Sequence, residues 1–299
     1  MTPSARTPRA TDRAGAGRRQ TKTRARGGAV TAASHTLLGL WISIVIIPFL
    51  WTVMCSFKTT REILTAPLAL PERWSLDNYV NAWTEAGVGR YFFNTAIVVG
   101  CALVLVMVLG GMCAYVLARF RFRGRMVIYY SMIAAMAFPA FLAIVPLFLL
   151  LQDLRLLNTK PGLVAVYVAF ALPFTVFFLH SFFASLPNDV SEAAQIDGAG
   201  DWRTYFQVML PMAAPGMASV AILNFIGLWN QYMLAVVLNS KKENYVLTQG
   251  MQVFAQKAGY SVDFGGLFAA VVMTVVPVLI VYMVFQRRLQ GSVSQGTFR

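Results

Sequence analysis

The chain has 299 residues, of which 58% are hydrophobic and only 12% charged, and its formal net charge is +13. A soluble globular domain carries about twice that charged share, so composition sets aside an ordinary soluble protein in favour of an integral membrane protein. Eight of the 25 basic residues lie between Arg6 and Arg26 with no folded basic domain behind them. That pattern argues against a nucleic-acid grip and for a solvated, topology-setting tail over residues 1–34.

A membrane-crossing helix needs about 20 apolar residues to cover roughly 30 Å of hydrocarbon. Runs free of Asp, Glu, Lys and Arg meet that requirement six times. The first, Thr36 to Phe57, is too long for the apolar core of a secretory signal and has no small-x-small cleavage site after it, so it is predicted to stay as a helix. It opens a region over 35–93, whose segment 58–93 reads as a long outer connection. There Pro67 and Pro71 break helical pattern, while "SLDNYVNAW" offers a short surface helix. The second run, Tyr91 to Ala118, leads into "RFRFRGR", four arginines in seven positions. Its Gly110 and Gly111 suit close helix contact. The third, Met126 to Gln152, carries Pro139 and Pro146, either of which can kink a helix. The fourth is Pro161 to Asn188. The fifth, Thr204 to Ser240, is too long for one span, and its membrane part is expected to begin near Pro215 or Met217. Segment 241–263 reads as a second outer loop, Phe264 to Gln286 as the sixth span, and 287–299 as a tail.

Six spans put both termini on one side, and charge chooses it. With the N-terminus in the cytoplasm, inner segments hold sixteen basic residues and outer segments nine. The bias is sharpest in the short "RFRFRGR" loop, where the positive-inside rule weighs most. Cys55, Cys101 and Cys113 fall in apolar runs and show neither a disulfide framework nor metal spacing. His35 and His180 are too isolated to suggest a zinc site, so no metal is expected.

Between the fourth and fifth spans lies "SEAAQIDGAGDWRTYFQVMLPMAAPG", residues 191–216, within a segment over 187–212. Asp189 can cap a helix, with Glu192 three residues on completing a capping box. Residues 191–196 then form a short helix, stopped by Asp197, Gly198, Ala199 and Gly200. Asp201 is placed to cap a second helix, Trp202 to Leu210, ended by Pro211. The small residues Ala193 and Ala194 let a partner's surface approach the backbone, and the acidic face suits a partner that supplies Arg or Lys. Ile196, Trp202, Tyr205 and Phe206 can anchor that contact or pack the two helices together. The alternative is a capped connecting loop whose acids are merely solvated.

"EAAQIDGAG", followed by Phe206, Val208 and the Leu210-Pro211 pair, resembles the EAA motif of binding-protein-dependent ABC importer permeases. Other stretches resemble the carbohydrate branch, and its maltose-type second permease in particular. Among them are "SFKTTREI", "LDNYVNAW", "YFFNTAIV", "AYVLARFRFRGR", "LPFTVFFLHSFFASLP" and "LWNQYMLAVVL". Together they cover residues 36 to about 290. Two departures are Gln195, where a basic residue is common, and the C-terminal "QGSVSQGTFR".

The resemblance implies an all-α integral membrane protein of the type I ABC importer permease fold, with six transmembrane helices, both termini cytoplasmic and the permease domain over 94–286. It implies a multi-pass chain of the bacterial cytoplasmic membrane, paired with a second permease as a heterodimer. An ATPase pair carrying ATP and Mg and an extracytoplasmic sugar-binding protein would complete the assembly. Glu192, Ala193, Ala194, Asp197, Gly198, Ala199, Gly200, Phe206, Leu210 and Pro211 would form the ATPase-coupling segment.

No Gly-Lys dipeptide exists for a P-loop, and the G-x-S-x-G and H-E-x-x-H patterns are absent as well. All twelve acids fall outside the expected spans, unlike a proton- or sodium-coupled carrier. The chain is therefore expected to be non-catalytic, to bind no cofactor of its own, and to receive its energy through a partner. Candidate path residues are Asn224, Trp229, Asn230, Gln231 and Tyr232, since sugars favour aromatic faces beside hydrogen-bonding groups. The same residues can instead bind helices together. Other cargo, such as glycerol phosphate or an amino acid, and a non-transporting docking protein remain as alternatives.

Overall fold

The computed structural model describes residues 34–261 and 263–295. The basic residues of the expected N-terminal tail lie outside the described residues, as do the last four of the C-terminal tail. The chain divides into two compact units, Met1–Met54 and Cys55–Arg299. The described part of the first is helix α1, Ser34–Cys55, 22 residues with mean hydropathy 2.3. Its Ser43 and Thr52 hydroxyls donate to the Gly39 and Pro48 carbonyls one turn back, at 2.8 and 2.9 Å. Polar groups satisfied inside their own helix suit a hydrocarbon surround.

The second unit begins with the outer connection. Here α2, Thr60–Thr65, was not expected, although "TTRE" spells its capping box: Thr59 accepts from the Glu62 amide while Glu62 accepts from the Thr59 amide. Helix α3, Asp77–Thr84, begins inside the expected "SLDNYVNAW" and ends one residue past it. Helix α4, Val88–Arg119, outruns the charge-free stretch at both ends.

The third run is not one helix. It splits into α5, Arg125–Met136, a 3-10 turn, Ala140–Ala143, and α6, Ile144–Asp153, with a 99° bend between the halves. Pro139 offers no amide and steers Phe138 away from helical geometry, while Pro146 is accommodated in the first turn of α6, where no donor is needed. Helix α7, Lys160–Ser185, starts at a Thr159 cap and carries Pro173 inside. Next come α8, Asn188–Ile196, α9, Asp201–Met212, and α10, Ala214–Trp229, with a 76° bend between the last two.

The fifth run also ends early. Helix α10 stops at Trp229, and a short α11, Met233–Leu238, follows a break at 230–232. At the break the Asn230 amide donates to the Ile226 carbonyl at 2.8 Å, and the Gln231 carbonyl accepts from Thr248 at 2.9 Å and Tyr167 at 3.3 Å. Side-chain partners thus replace the helical ladder. The expected loop 241–263 holds a helix, α12, Leu247–Ser261, whose first amide is taken by the Thr95 hydroxyl at 2.7 Å. Helix α13 starts at Phe264 as expected but runs past Gln286 to Gln295, into the segment read as a tail. Four helices can cross a membrane unbroken, and six spans result when each bent pair counts as one.

The central pair is α4 and α7, flanked by α5 against α7 and by α10 against both, with α13 on α10 and α3. A Cβ at Gly110 would stand 2.6 Å from Thr175 Cγ2, so Gly110 sets the closeness of the α4–α7 crossing. The buried apolar side chains form two clusters. One, with Val98, Ala102, Val106, Tyr167, Leu234 and Leu238, lies toward α11 and α12. The other, with Ala114, Tyr115, Leu179, Phe183, Tyr205 and Met209, lies toward α8 and α9.

Candidate functional site

The α8–α9 segment differs from its expected capping while keeping its helix-turn-helix form. Helix α8 starts right after Pro187, so Asp189 sits in the first turn and makes no cap hydrogen bond; the expected Asp189–Glu192 capping box does not form. Proline at the boundary fixes the entry, and the acids there act on the helix dipole instead. The stop is as expected. Gly198 takes φ +79°, with its amide donating to Gln195 and the Ala199 amide to Ala194, a Schellman ending that favours glycine.

Asp201 is likewise not the cap of α9. Gly200 holds that position with extended backbone, and Asp201 is the first helical residue. Nor does Pro211 end α9, which continues to Met212. The turns before it, Thr204–Met209, widen to π geometry. Proline removes an amide and crowds the carbonyl four residues back, and a wider turn relieves that conflict.

One side of the segment is rooted in the protein. Tyr205 and Met209 are buried against Tyr115, Leu179 and Phe183, with the Tyr115 and Tyr205 rings 4.9 Å apart. Arg119 at the end of α4 donates to the Leu186 carbonyl at 2.6 Å and to Asn188 Oδ1, which ties the root of α8 to α4. The other side is bare. Ile196 is 86% exposed, Trp202 66% and Phe206 50%, and the last two rings stack at 6.0 Å. Glu192, Ala193, Asp197 and Pro211 are exposed, Ala199 and Leu210 are half-buried, and Ala194 is buried. A Cβ at Gly198 or Gly200 would meet nothing within 4 Å. The motif therefore forms an open shelf of small backbone, acids and three apolar side chains on a packed foundation.

The five candidate path residues are not gathered at one site. Asn224 is buried, donates to Thr175 Oγ1 at 2.8 Å and lines a cavity of about 270 Å³ with Gln231. Tyr167, Phe170 and Phe174 of α7 add aromatic wall to that cavity. They were missed because their stretch reads as uniform membrane helix. Trp229 points elsewhere: it is buried against Phe92 and Phe225, with its indole N–H donating to the Thr274 carbonyl at 3.2 Å. Asn230 is exposed and Tyr232 half-buried, and neither lines the cavity.

Residues 106–295 match the family described as binding-protein-dependent transport system inner membrane component. The chain belongs to that family. Its members are multi-pass membrane permeases of ABC transporters, which fits the all-helical fold. The permease is 66% identical over 268 residues to the diacetylchitobiose uptake system permease protein of Streptomyces coelicolor, covering 90% of this chain and 89% of that relative. It is 30% identical to the trehalose transport system permease protein of Mycobacterium tuberculosis, across 87% and 94% of the two chains. A solved bacterial ABC transporter involved in the import of the acidic polysaccharide alginate shares the fold. That likeness has a TM-score of 0.76 at 24% identity and covers 95% of this permease and 99% of that chain.

Proposed function

We propose that this permease is one half of the membrane pore of a sugar importer, and that its cargo is a small oligosaccharide of the diacetylchitobiose kind. The observation that carries this is the 66% identity, spread over 90% of the chain, to a diacetylchitobiose uptake permease. In this reading both termini lie in the cytoplasm and the protein sits in the bacterial cytoplasmic membrane. A second permease pairs with it, and an extracytoplasmic binding protein delivers the sugar. A separate ATPase pair, which holds ATP and Mg, supplies the work.

The α8–α9 shelf is where that work enters. A groove on the ATPase seats α8 against Ala193, Gly198 and Gly200, its basic side chains meet Glu192 and Asp197, and Ile196, Trp202 and Phe206 fill its apolar floor. Closure of the ATPase pair on ATP moves the shelf, and the buried Tyr205 and Met209 carry the displacement to α4 and α7. The sugar passes along the cavity with Asn224, Gln231 and the α7 aromatics, whose ring faces suit a pyranose. Hydrolysis returns the inward-facing arrangement, a shift between two populations.

The test is made in proteoliposomes holding the assembled transporter. Gly200 is a cleaner probe than Gly198, because Gly198 needs positive φ and any side chain there strains the turn. Glu192→Lys and Gly200→Phe are expected to lower diacetylchitobiose uptake and receptor-stimulated ATP hydrolysis together, roughly tenfold, which corresponds to about 1.4 kcal/mol of coupling. Normal uptake and normal hydrolysis in both variants would remove the shelf from the mechanism.

A further inference from the structure

Another cavity shares Trp202 and Tyr205 with the proposed coupling segment and has no part in the cargo assignment. It lies between the end of α4 and the start of α9 and has a volume of about 460 Å³. Met112, Val116, Phe120, Phe122 and Trp202 make its apolar wall, and Arg121 and Asp201 are its charged lining residues. Its α4 lining runs back along the helix from the arginine loop. From Phe120 back to Met112 is eight residues, about 12 Å of helix at 1.5 Å per residue. The slot therefore reaches from the arginine loop into the apolar part of α4.

The mouth is positive. Arg119 is engaged with Leu186 and Asn188, and Arg125 donates to the Phe120 carbonyl at 3.2 Å. Arg121 and Arg123 are exposed and make no hydrogen bond among the described residues. Two uncommitted guanidinium groups outweigh the single Asp201 carboxylate. An apolar slot beneath a cationic mouth matches an amphiphile with an anionic head.

We propose that this slot binds one anionic phospholipid, with its phosphate at Arg121 and Arg123 and an acyl chain along Met112 and Val116 toward Trp202. Guanidinium groups recognise phosphate oxygens through charge-assisted hydrogen bonds, and basic pockets at the membrane surface hold anionic head groups. The bound chain fills space between α4 and α9, so an occupied slot braces the root of the shelf. Binding itself does not depend on the coupling assignment, and the measurement below reads binding alone.

The assembled transporter is purified and titrated with phosphatidylglycerol or phosphatidylcholine of identical acyl chains, and retained lipid is counted by native mass spectrometry. The wild type is expected to retain phosphatidylglycerol several-fold better. Arg121→Gln is expected to lower that retention about fivefold, the worth of one basic residue near an anionic head, and to leave phosphatidylcholine unchanged. Val116→Trp fills the slot and should lower retention of both lipids. Val104→Trp, on an exposed part of α4 away from the slot, should lower neither. Equal retention of the two lipids by the wild type overturns the proposal, as does undiminished phosphatidylglycerol in Arg121→Gln or in Val116→Trp. A helix of the second permease found seated in the slot would overturn it as well.

Discussion

At Asn224 one buried amide separates packing from cargo contact. Its Nδ2 donates to Thr175 Oγ1, and the Thr175 hydroxyl donates in turn to the Ala171 carbonyl at 2.8 Å. The two partners are therefore unequal. Asn224→Leu leaves Thr175 still bonded within α7, and it costs about the 0.6–1.7 kcal/mol measured for interhelical hydrogen bonds in membranes. Thr175→Val leaves the amide only the weak Met107 Sδ acceptor at 3.8 Å, and a poorly satisfied buried donor costs about 1–3 kcal/mol. Thermal unfolding in detergent should show a larger drop in midpoint for Thr175→Val. Sugar uptake should show the opposite order if Asn224 touches cargo in the cavity, with KM raised by Asn224→Leu alone. Equal KM effects that track stability would make Asn224 a packing residue only.

Among the elements, α2 offers a test of local electrostatics. The Glu62 carboxylate accepts from the Glu72 amide at 2.9 Å and from the Thr59 amide and hydroxyl at 2.7 and 2.8 Å, and these bonds hold its pKa below the usual carboxylate value. A folded pKa below the unfolded one stabilises α2 above pH about 4.5. That contribution is lost as pH falls through the depressed folded value. Hydrogen exchange at the Ile63 to Ala66 amides should accelerate in this acid range beyond the intrinsic change, and Glu62→Gln should abolish the extra pH dependence. The "TTRE" signal for this helix stood in the sequence but went unread, whereas α4, α7 and α13 were legible because charge-free runs of span length leave few other structures. The break at 137–139 was legible as a possible kink at Pro139, whereas the one at 230–232 was not legible as a break. Asn230, Gln231 and Tyr232 are polar but carry neither proline, glycine nor charge, and their break depends on Tyr167 and Thr248 arriving from elsewhere in the chain. Helix α12 was hidden for the same reason, since its first amide is satisfied by Thr95, 152 positions away. At the shelf, the motif and its Gly198 stop were legible. The two aspartate caps were misassigned because Pro187 and Gly200 already fix where the helices begin.

In the molecule as a whole, the proposed coupling requires the shelf to pull on the spans through something stiff, and two links serve that purpose. One is the aromatic packing of Tyr115, Phe183 and Tyr205, which resists compression. The other is Arg119, which joins the end of α4 to the α7–α8 junction by directed bonds at Leu186 and Asn188. A planar guanidinium can hold two acceptors in fixed geometry, whereas a lysine ammonium is a looser point charge and glutamine reaches one acceptor at best. Loss of this tie should leave the shelf able to dock while passing less motion to α4. Arg119→Gln is therefore expected to keep receptor-stimulated ATP hydrolysis near the wild-type rate while sugar moved per ATP falls roughly tenfold, within the 5–150-fold span of ordinary coupling energies. Arg119→Lys should fall between the two. The measurement is paired uptake and phosphate release from the same proteoliposomes. A parallel fall in both quantities would mean that Arg119 only holds the fold together, and unchanged transport would mean that the aromatic packing transmits the stroke without it.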